Sequence, residues 1–172
     1  MDPKKARESF VTKTSIILPP DTNNHGTIFG GRTMSHIDEV AGLSAMRHAR
    51  MNVVTASTDS VDFLHPIRRG QAICVEAFVT WTHNTSMEIF VKVLGENLYT
   101  GEQTTCTTAF LTFVAIGSDG KPHHVPPVIP ESGIEKSLYE TAPERARFRR
   151  ERRDRAKKFA EEFGFNTSKS RY

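Results

Sequence analysis

The chain has little of what builds a metal centre, a disulfide framework or a membrane span. Its 172 residues include two cysteines, Cys74 and Cys106. Both lie in strand-like segments without metal-ligand spacing, so they read as free thiols of a reducing compartment. The seven histidines contain no H-x-x-x-H pair, and the adjacent His123 and His124 would point to opposite faces of a strand. No metal site is expected. There is no G-x-S-x-G nucleophile elbow. No apolar run approaches the roughly 20 residues that cross a bilayer, and the charged start MDPKKARESF lacks the apolar centre of a secretory signal. No membrane partner is expected, and the location expected is cytoplasmic. Domain-scale repeats and low-complexity linkers are also missing.

What is present is an ordinary globular composition, 37% hydrophobic and 25% charged. The net charge of +3 is unevenly spread. Residues 143–172 carry 11 of the 23 Lys and Arg but 5 of the 20 Asp and Glu, so the preceding residues are net acidic. The basic character is a property of the tail, where acidic residues interrupt the basic ones. Nucleic acid is therefore not the expected partner.

One stretch organises the rest: residues 19–50, PPDTNNHGTIFGGRTMSHIDEVAGLSAMRHAR. A proline turn and a polar loop lead through Gly30-Gly31 into a helical pattern over about 31–50. Met34, Ile37, Val40, Ala41, Ser44, Ala45 and His48 recur at helical spacing as a small and apolar face. Asp38 falls in that stripe, where a carboxylate needs a partner or a task. Its neighbour Glu39, rotated about 100° around the helix, is expected to face solvent. Residues 26–33, GTIFGGRT, nearly match a phosphate loop, but arginine replaces the lysine and no βαβ units surround it, so nucleotide hydrolysis is rejected. The physics of the match survives. A glycine pair at a helix N-terminus allows close approach to backbone N–H groups, and the helix dipole favours an anion or a developing oxyanion there. Asp38 can then serve as general base on water or as nucleophile, with Asn23 or Asn24 orienting water or substrate. The plainer alternative keeps Asp38 as a hydrogen-bond acceptor and Asn23 as a turn cap.

Strand patterns flank the helix at 8–18, 52–64, 71–82, 86–97 and 103–117, the last four reading as a meander. The fold class expected is α+β, an antiparallel sheet wrapped around one long helix. One helix cannot cover both faces and open edges invite pairing, so a dimer is expected. The domain is placed at 1–131 and a charged helical tail at 132–172. The tail's helix is read over 143–163, with Pro143 in its first turn, packing on a neighbouring subunit or fraying.

The segments Asp21-Thr22-Asn23, Gly26 to Gly31 and Ile37-Asp38-Glu39 together resemble the hotdog-fold acyl-CoA thioesterases. Within them, the bacterial acyl-CoA hydrolases and the brain-type acyl-CoA hydrolases are similar. Val54 to Ser57, Asp59, Val61, Phe63, Pro66, Gly70, Thr85 to Glu88, Phe113 to Ala115, Gly120 to Pro122 and Val125-Pro126 continue the resemblance in register, over about 15–130. It implies a hotdog fold and dimers joined edge to edge, often as a trimer of dimers, a homohexamer. It also implies hydrolysis of fatty acyl-CoA to CoA and a carboxylic acid, with coenzyme A as substrate and product rather than cofactor. The family aspartate maps to Asp38. The family asparagine maps to Asn23, supplied across a subunit interface. Gly31 is implied as an oxyanion donor. Phe29, Gly30, Asp59, Ser60, Phe63, Thr85 and Ser86 are implied as substrate contacts. Arg32, Arg68, Arg69 and Lys121 are candidates for the CoA phosphates. The alternative function is a non-catalytic acyl-CoA-binding module.

Overall fold

A computed structural model of the chain describes residues 1–164. The elements run β1 (Lys4–Lys5), β2 (Val11–Ile16), α1 (Gly30–Ala49), β3 (Asn52–Phe63), β4 (Ala72–Thr82), β5 (Ser86–Glu96), β6 (Gln103–Ile116), β7 (Val128–Ile129) and α2 (Gly133–Glu162). Strands 2 to 6 form one antiparallel sheet in the order β2-β4-β5-β6-β3. Only β4, β5 and β6 are a meander. The strand after the helix, β3, does not pair with its successor but lies at the far edge beside β6, with Val54 opposite Val114 and Val61 opposite Ala109. The short β1 and β7 make a separate parallel pair.

The sheet curls around α1, which is the architecture of the hotdog fold. Thr33, Ile37, Val40, Ala41, Ser44, Ala45, His48 and Ala49 are its buried residues. Ile37, Val40, Ala41, Ala45 and Ala49 meet Val75, Ala77, Val79, Ile89, Val91, Val93, Ala109 and Leu111 in one core cluster. Small residues at 41, 44, 45 and 49 let the helix lie close to the strands. Each fully buried Ile or Val contributes about 1.5–3 kcal/mol. The helix ends at Arg50, whose left-handed backbone (φ 57°) directs its N–H to the Met46 carbonyl, 2.8 Å away. That conformation is more often taken by glycine.

The opposite face of the sheet carries α2. The helix starts ten residues earlier than Pro143, at a capping box in which the Ser132 hydroxyl accepts from the Glu135 N–H and the Glu135 carboxylate accepts from the Ser132 N–H. Pro143 lies inside the helix. Ala142 and Ala146 are buried, whereas Phe148, Phe159 and Phe163 remain exposed. The helix packs on its own sheet rather than standing free. A row of cross-strand rings, Phe78, Phe90 and Phe110, lines that face at centroid distances of 5.9 and 5.2 Å, and the Arg145 guanidinium sits 4.3 Å from the Phe110 ring. The end of the tail, 165–172, lies outside the described residues. Among the described residues Cys74 and Cys106 are free thiols, Cys106 buried and Cys74 half-buried.

Candidate active site

Helix α1 begins without a side-chain cap. Phe29 occupies the capping position and offers no side-chain oxygen to the first turn. Its carbonyl accepts from the Arg32 and Thr33 N–H groups, so the glycine amides are not claimed by a cap. A Cβ placed on Gly31 would meet nothing within 4 Å. Packing within the chain therefore does not demand glycine at 31, and the space in front of the helix start is open to a ligand.

Two turns along, Asp38 does not lie in the buried stripe. Ile37 and Val40 are buried, but Asp38 is exposed on the flank of the helix, as is Met34. Helical spacing places a residue around the axis only to within a sector. The sheet covers the sector centred on Val40 and Ala41, and Asp38 falls just outside it, facing β3. There the Thr55 hydroxyl donates to Asp38 Oδ1 at 2.8 Å. This orients the carboxylate and leaves its second oxygen available. Gly31, Met34, Ser35, Ile37, Asp38, Thr58, Val61 and Leu111 enclose a cavity of about 300 Å³. Its walls are mostly apolar, with one carboxylate at the side and a helix N-terminus at the end. Such a chamber can hold an acyl group with its carbonyl carbon near the acid and its carbonyl oxygen near backbone donors. Glu39 points away and is bound by Lys13 at 2.6 Å, which holds its carboxyl below the ordinary range.

Asn23 does not reach Asp38 within the chain. Its Oδ1 accepts from the His25 N–H at 2.9 Å, and its Nδ2 donates to the Thr27 Oγ1 at 2.9 Å. Those bonds hold the 23–27 loop in shape. Arg32 is bound to Asp21 at 2.7 Å, and that guanidinium keeps the Asp21 carboxyl below its usual value.

The expected substrate contacts divide among different surfaces. Gly30 and Phe63 line a separate cavity of about 350 Å³ with Thr27, Ile28, Thr33 and Leu64. The exposed Phe29 immediately precedes it. Ser86 lies on the α2 side of the sheet, in a cavity of about 550 Å³ with Ser57, Trp81, Arg149 and Arg152 among its walls. Thr85 uses its carbonyl to accept from the Ala115 N–H. Ser60 is half-buried and pairs with Phe110 in the ladder. Asp59 is engaged by Arg149 and Arg152 of α2, at 2.7 and 2.8 Å. These residues do not converge on Asp38 within one chain. Thr55 is the residue that the spacing argument missed. As a β-branched residue in a strand it carries no signal apart from strand formation, and only its proximity to Asp38 reveals it. Among the described residues no group of three or more His, Cys, Asp or Glu is placed to hold a metal ion.

Residues 25–102 match the model of the thioesterase superfamily. An uncharacterized acyl-CoA thioester hydrolase of Bacillus subtilis, YkhA, is 51% identical over 158 residues, 92% of each chain. An acyl-CoA hydrolase of Staphylococcus aureus, solved with butyryl-CoA, CoA and CoA disulfide, superposes with a TM-score of 0.90 at 43% identity, over 94% of this chain and 98% of that one. A hexameric acyl-CoA thioesterase solved without ligand gives a TM-score of 0.86 at 50% identity, over 88% and 97%. The S. aureus hydrolase has also been solved as alanine variants of an asparagine, an aspartate and a threonine. Those three positions are separated along its chain as Asn23, Asp38 and Thr55 are here.

Proposed function

The chain belongs to the thioesterase superfamily as an acyl-CoA thioester hydrolase, and we propose that its reaction runs at Asp38, with Thr55 from the same subunit and Asn23 of the partner subunit. The observation that carries the proposal is the Thr55–Asp38 hydrogen bond beside a chamber that Asp38 lines and that reaches Gly31 at the N-terminus of α1. The spacing of the three substituted positions in the S. aureus hydrolase supports the same set.

The N–H groups of the first turn, including that of Gly31, polarise the thioester carbonyl and stabilise the oxyanion. Asp38, held by Thr55 through one oxygen, uses the other to take a proton from water. The resulting hydroxide adds to the carbonyl carbon. The tetrahedral intermediate collapses by breaking the C–S bond, which releases CoA thiolate and the carboxylic acid. A thiolate leaves readily at neutral pH, so the site needs no strong general acid. Asn23 of the partner subunit positions the water or the carbonyl. Its loop is shaped by its own bonds to His25 and Thr27.

The functional unit is a homo-oligomer, a dimer at least and a trimer of dimers by analogy with the hexameric thioesterase. The carboxylic acids released are those of fatty acyl-CoA substrates. CoA is substrate and product, not a bound cofactor. The two free thiols fit a reducing, cytoplasmic setting, and no helix among the described residues is long and apolar enough to cross a membrane.

A panel of acyl-CoAs of rising chain length, with detection of the free thiol, tests the reading. Wild type is expected to turn over part of the panel, and Asp38→Ala to lose about 10²–10⁴-fold in kcat while keeping its oligomeric state. Tight acyl-CoA binding by wild type with no thiol release would instead establish a binding module.

A further inference from the structure

Strand β3 is unusual in how it presents side chains. Its pairing with β6 slips twice, between Thr55 and Ser57 and between Thr58 and Ser60. In a regular strand, alternate residues share a face. Here the residues that meet Asp38 or its chamber are Thr55, Thr58 and Val61, three apart. The two extra residues put Ala56, Ser57 and Asp59 together on the α2 side. A bulge leaves the backbone of the extra residue without its ladder partner. Among the described residues of one chain β3 has a neighbour on one side only.

Helix α2 supplies what the ladder omits. Arg152 Nη1 donates to the Asp59 backbone carbonyl at 2.5 Å, and its Nη2 donates to Ser57 Oγ at 2.7 Å and Asp59 Oδ1 at 2.8 Å. Arg149 Nη1 donates to Asp59 Oδ2 at 2.7 Å, and the Thr112 hydroxyl donates to the same oxygen at 2.8 Å. The Ser57 hydroxyl donates to Asp59 Oδ1 at 2.6 Å. The Asp59 side chain is 11% exposed and that of Arg149 15%, whereas that of Arg152 is 44% exposed, so the carboxylate and its inner partner are packed while Arg152 clamps them from the rim.

We propose that Arg149 and Arg152, acting through Asp59, are positioning residues for hydrolysis: they lock the twice-bulged register of β3 that aims Thr55 at Asp38. The proposal rests on the reading of Asp38 and Thr55 given above. Without the lock, a bulge can relax along the strand, and each one-residue shift exchanges an inward side chain for an outward one. Ser57 would then compete with Thr58 for the chamber wall, and Thr55 would lose its aim. The basic helix thus acts on the reaction from the opposite face of the sheet, without touching substrate.

Steady-state hydrolysis by the full-length oligomer separates this role from a purely structural one. Arg152→Ala is expected to lower kcat by about tenfold, on the scale of a small misplacement of a reacting group, with KM within about twofold of wild type. Arg152→Lys restores part of the loss. In a Thr55→Ala background, Arg152→Ala is expected to cost less than about a further twofold, because the lock then has nothing left to aim. Equal losses in both backgrounds, or wild-type kcat for Arg152→Ala, overturn the proposal. Wild-type kcat for Thr55→Ala overturns the Asp38–Thr55 reading and this proposal with it. A Thr55→Ala loss without an Arg152→Ala loss overturns this proposal alone. If Arg152→Ala does not assemble, Arg152→Gln keeps a donor for the carbonyl, and amide hydrogen exchange reads the strand directly. Faster exchange confined to 55–60 is expected, and unchanged exchange there overturns the proposal.

Discussion

The two faces of the sheet are held by different forces. Toward α1 the contact is apolar, with Ile37, Val40, Ala41 and Ala45 on strand residues such as Val79, Val91 and Leu111. Toward α2 a contact of Ala142, Ala146 and a row of Phe rings also carries buried ion pairs. Glu88 is fully buried and takes Arg145 at 2.8 Å, Arg149 at 3.5 Å and the Thr80 hydroxyl at 2.9 Å. Asp59 takes Arg149 and Arg152. Apolar packing is forgiving of direction, whereas a buried carboxylate accepts its partners in few geometries. The first face supplies most of the folding free energy, and the second fixes where β3 and α2 sit relative to each other. The candidate site lies where the two regimes meet: Asp38 is on the apolar helix, and Thr55 is on the strand that the ionic face holds.

The comparison is tested most severely by removing one member from each face. Arg145→Ala leaves Glu88 in the interior with Arg149 at 3.5 Å and the Thr80 hydroxyl. It is expected to destabilise the protein by somewhat less than the about 3–5 kcal/mol of an uncompensated buried charge. Replacing Glu88 and Arg145 together by apolar residues of similar volume is expected to recover most of that. A double variant as unstable as the single one would show that Glu88 and Arg145 contribute more than mutual neutralisation. On the other face, Ile37→Ala is expected to cost about 2–4 kcal/mol from lost burial and a cavity. Denaturant unfolding measures both. The cost of Ile37→Ala should be nearly independent of salt.

A smaller effect belongs to a titratable group buried at the apolar face. His48 is fully buried, its Nε2 is 2.8 Å from the Pro126 carbonyl, and its Nδ1 has no partner among the described residues. Burial pushes its pKa below 6.5, with Lys4 adding to the shift, while the Pro126 bond and Glu8 oppose it. The unfolded chain therefore binds a proton at a pH where the folded one does not. The stability this group lends is full above about 6.5 and is lost as pH falls through the lowered value. The melting temperature should drop on acidification from pH 7.5 to 5, and His48→Gln should flatten that slope. An unchanged slope would place the acid sensitivity elsewhere. The smallest effect is expected where neither regime applies. Lys13→Ala removes the exposed pair with Glu39 and should alter stability by less than about 0.5 kcal/mol. A larger change would mean that surface pairs matter here as much as buried ones.

The apolar face was readable from the sequence and the ionic face was not. Helical spacing from Ile37 to His48 and the period of two in the strands come from local chemistry, so α1 and the strands fall where expected to within a few residues. Strand order depends on contacts between residues far apart in the chain, and nothing near β3 announces that it joins β6. The start of α2 was signalled by Ser132 and Glu135, but Pro143 looked like a first-turn residue and drew the boundary to itself. Asp38 and the helix entry were visible as an awkward charge and a glycine pair. The exposure of Asp38, the role of Thr55 and the engagement of Asp59 by α2 all arise from tertiary contacts. The basic residues of α2, which read as a charged helix packing on a neighbouring subunit or fraying, include the ion-pair partners of two sheet carboxylates.

The central claim is that Asp38 of one subunit and Asn23 of another make one hydrolytic site. Co-expression of Asp38→Ala and Asn23→Ala subunits, purified as mixed oligomers through two tags, tests it directly. Each variant alone is expected to be nearly inactive. The mixed oligomer should regain about a quarter of wild-type turnover as a hexamer, where random assembly gives about one site in four both intact residues, and about half as a dimer, where one of the two sites is intact. Mixed oligomers no more active than the separate variants would contradict the shared site.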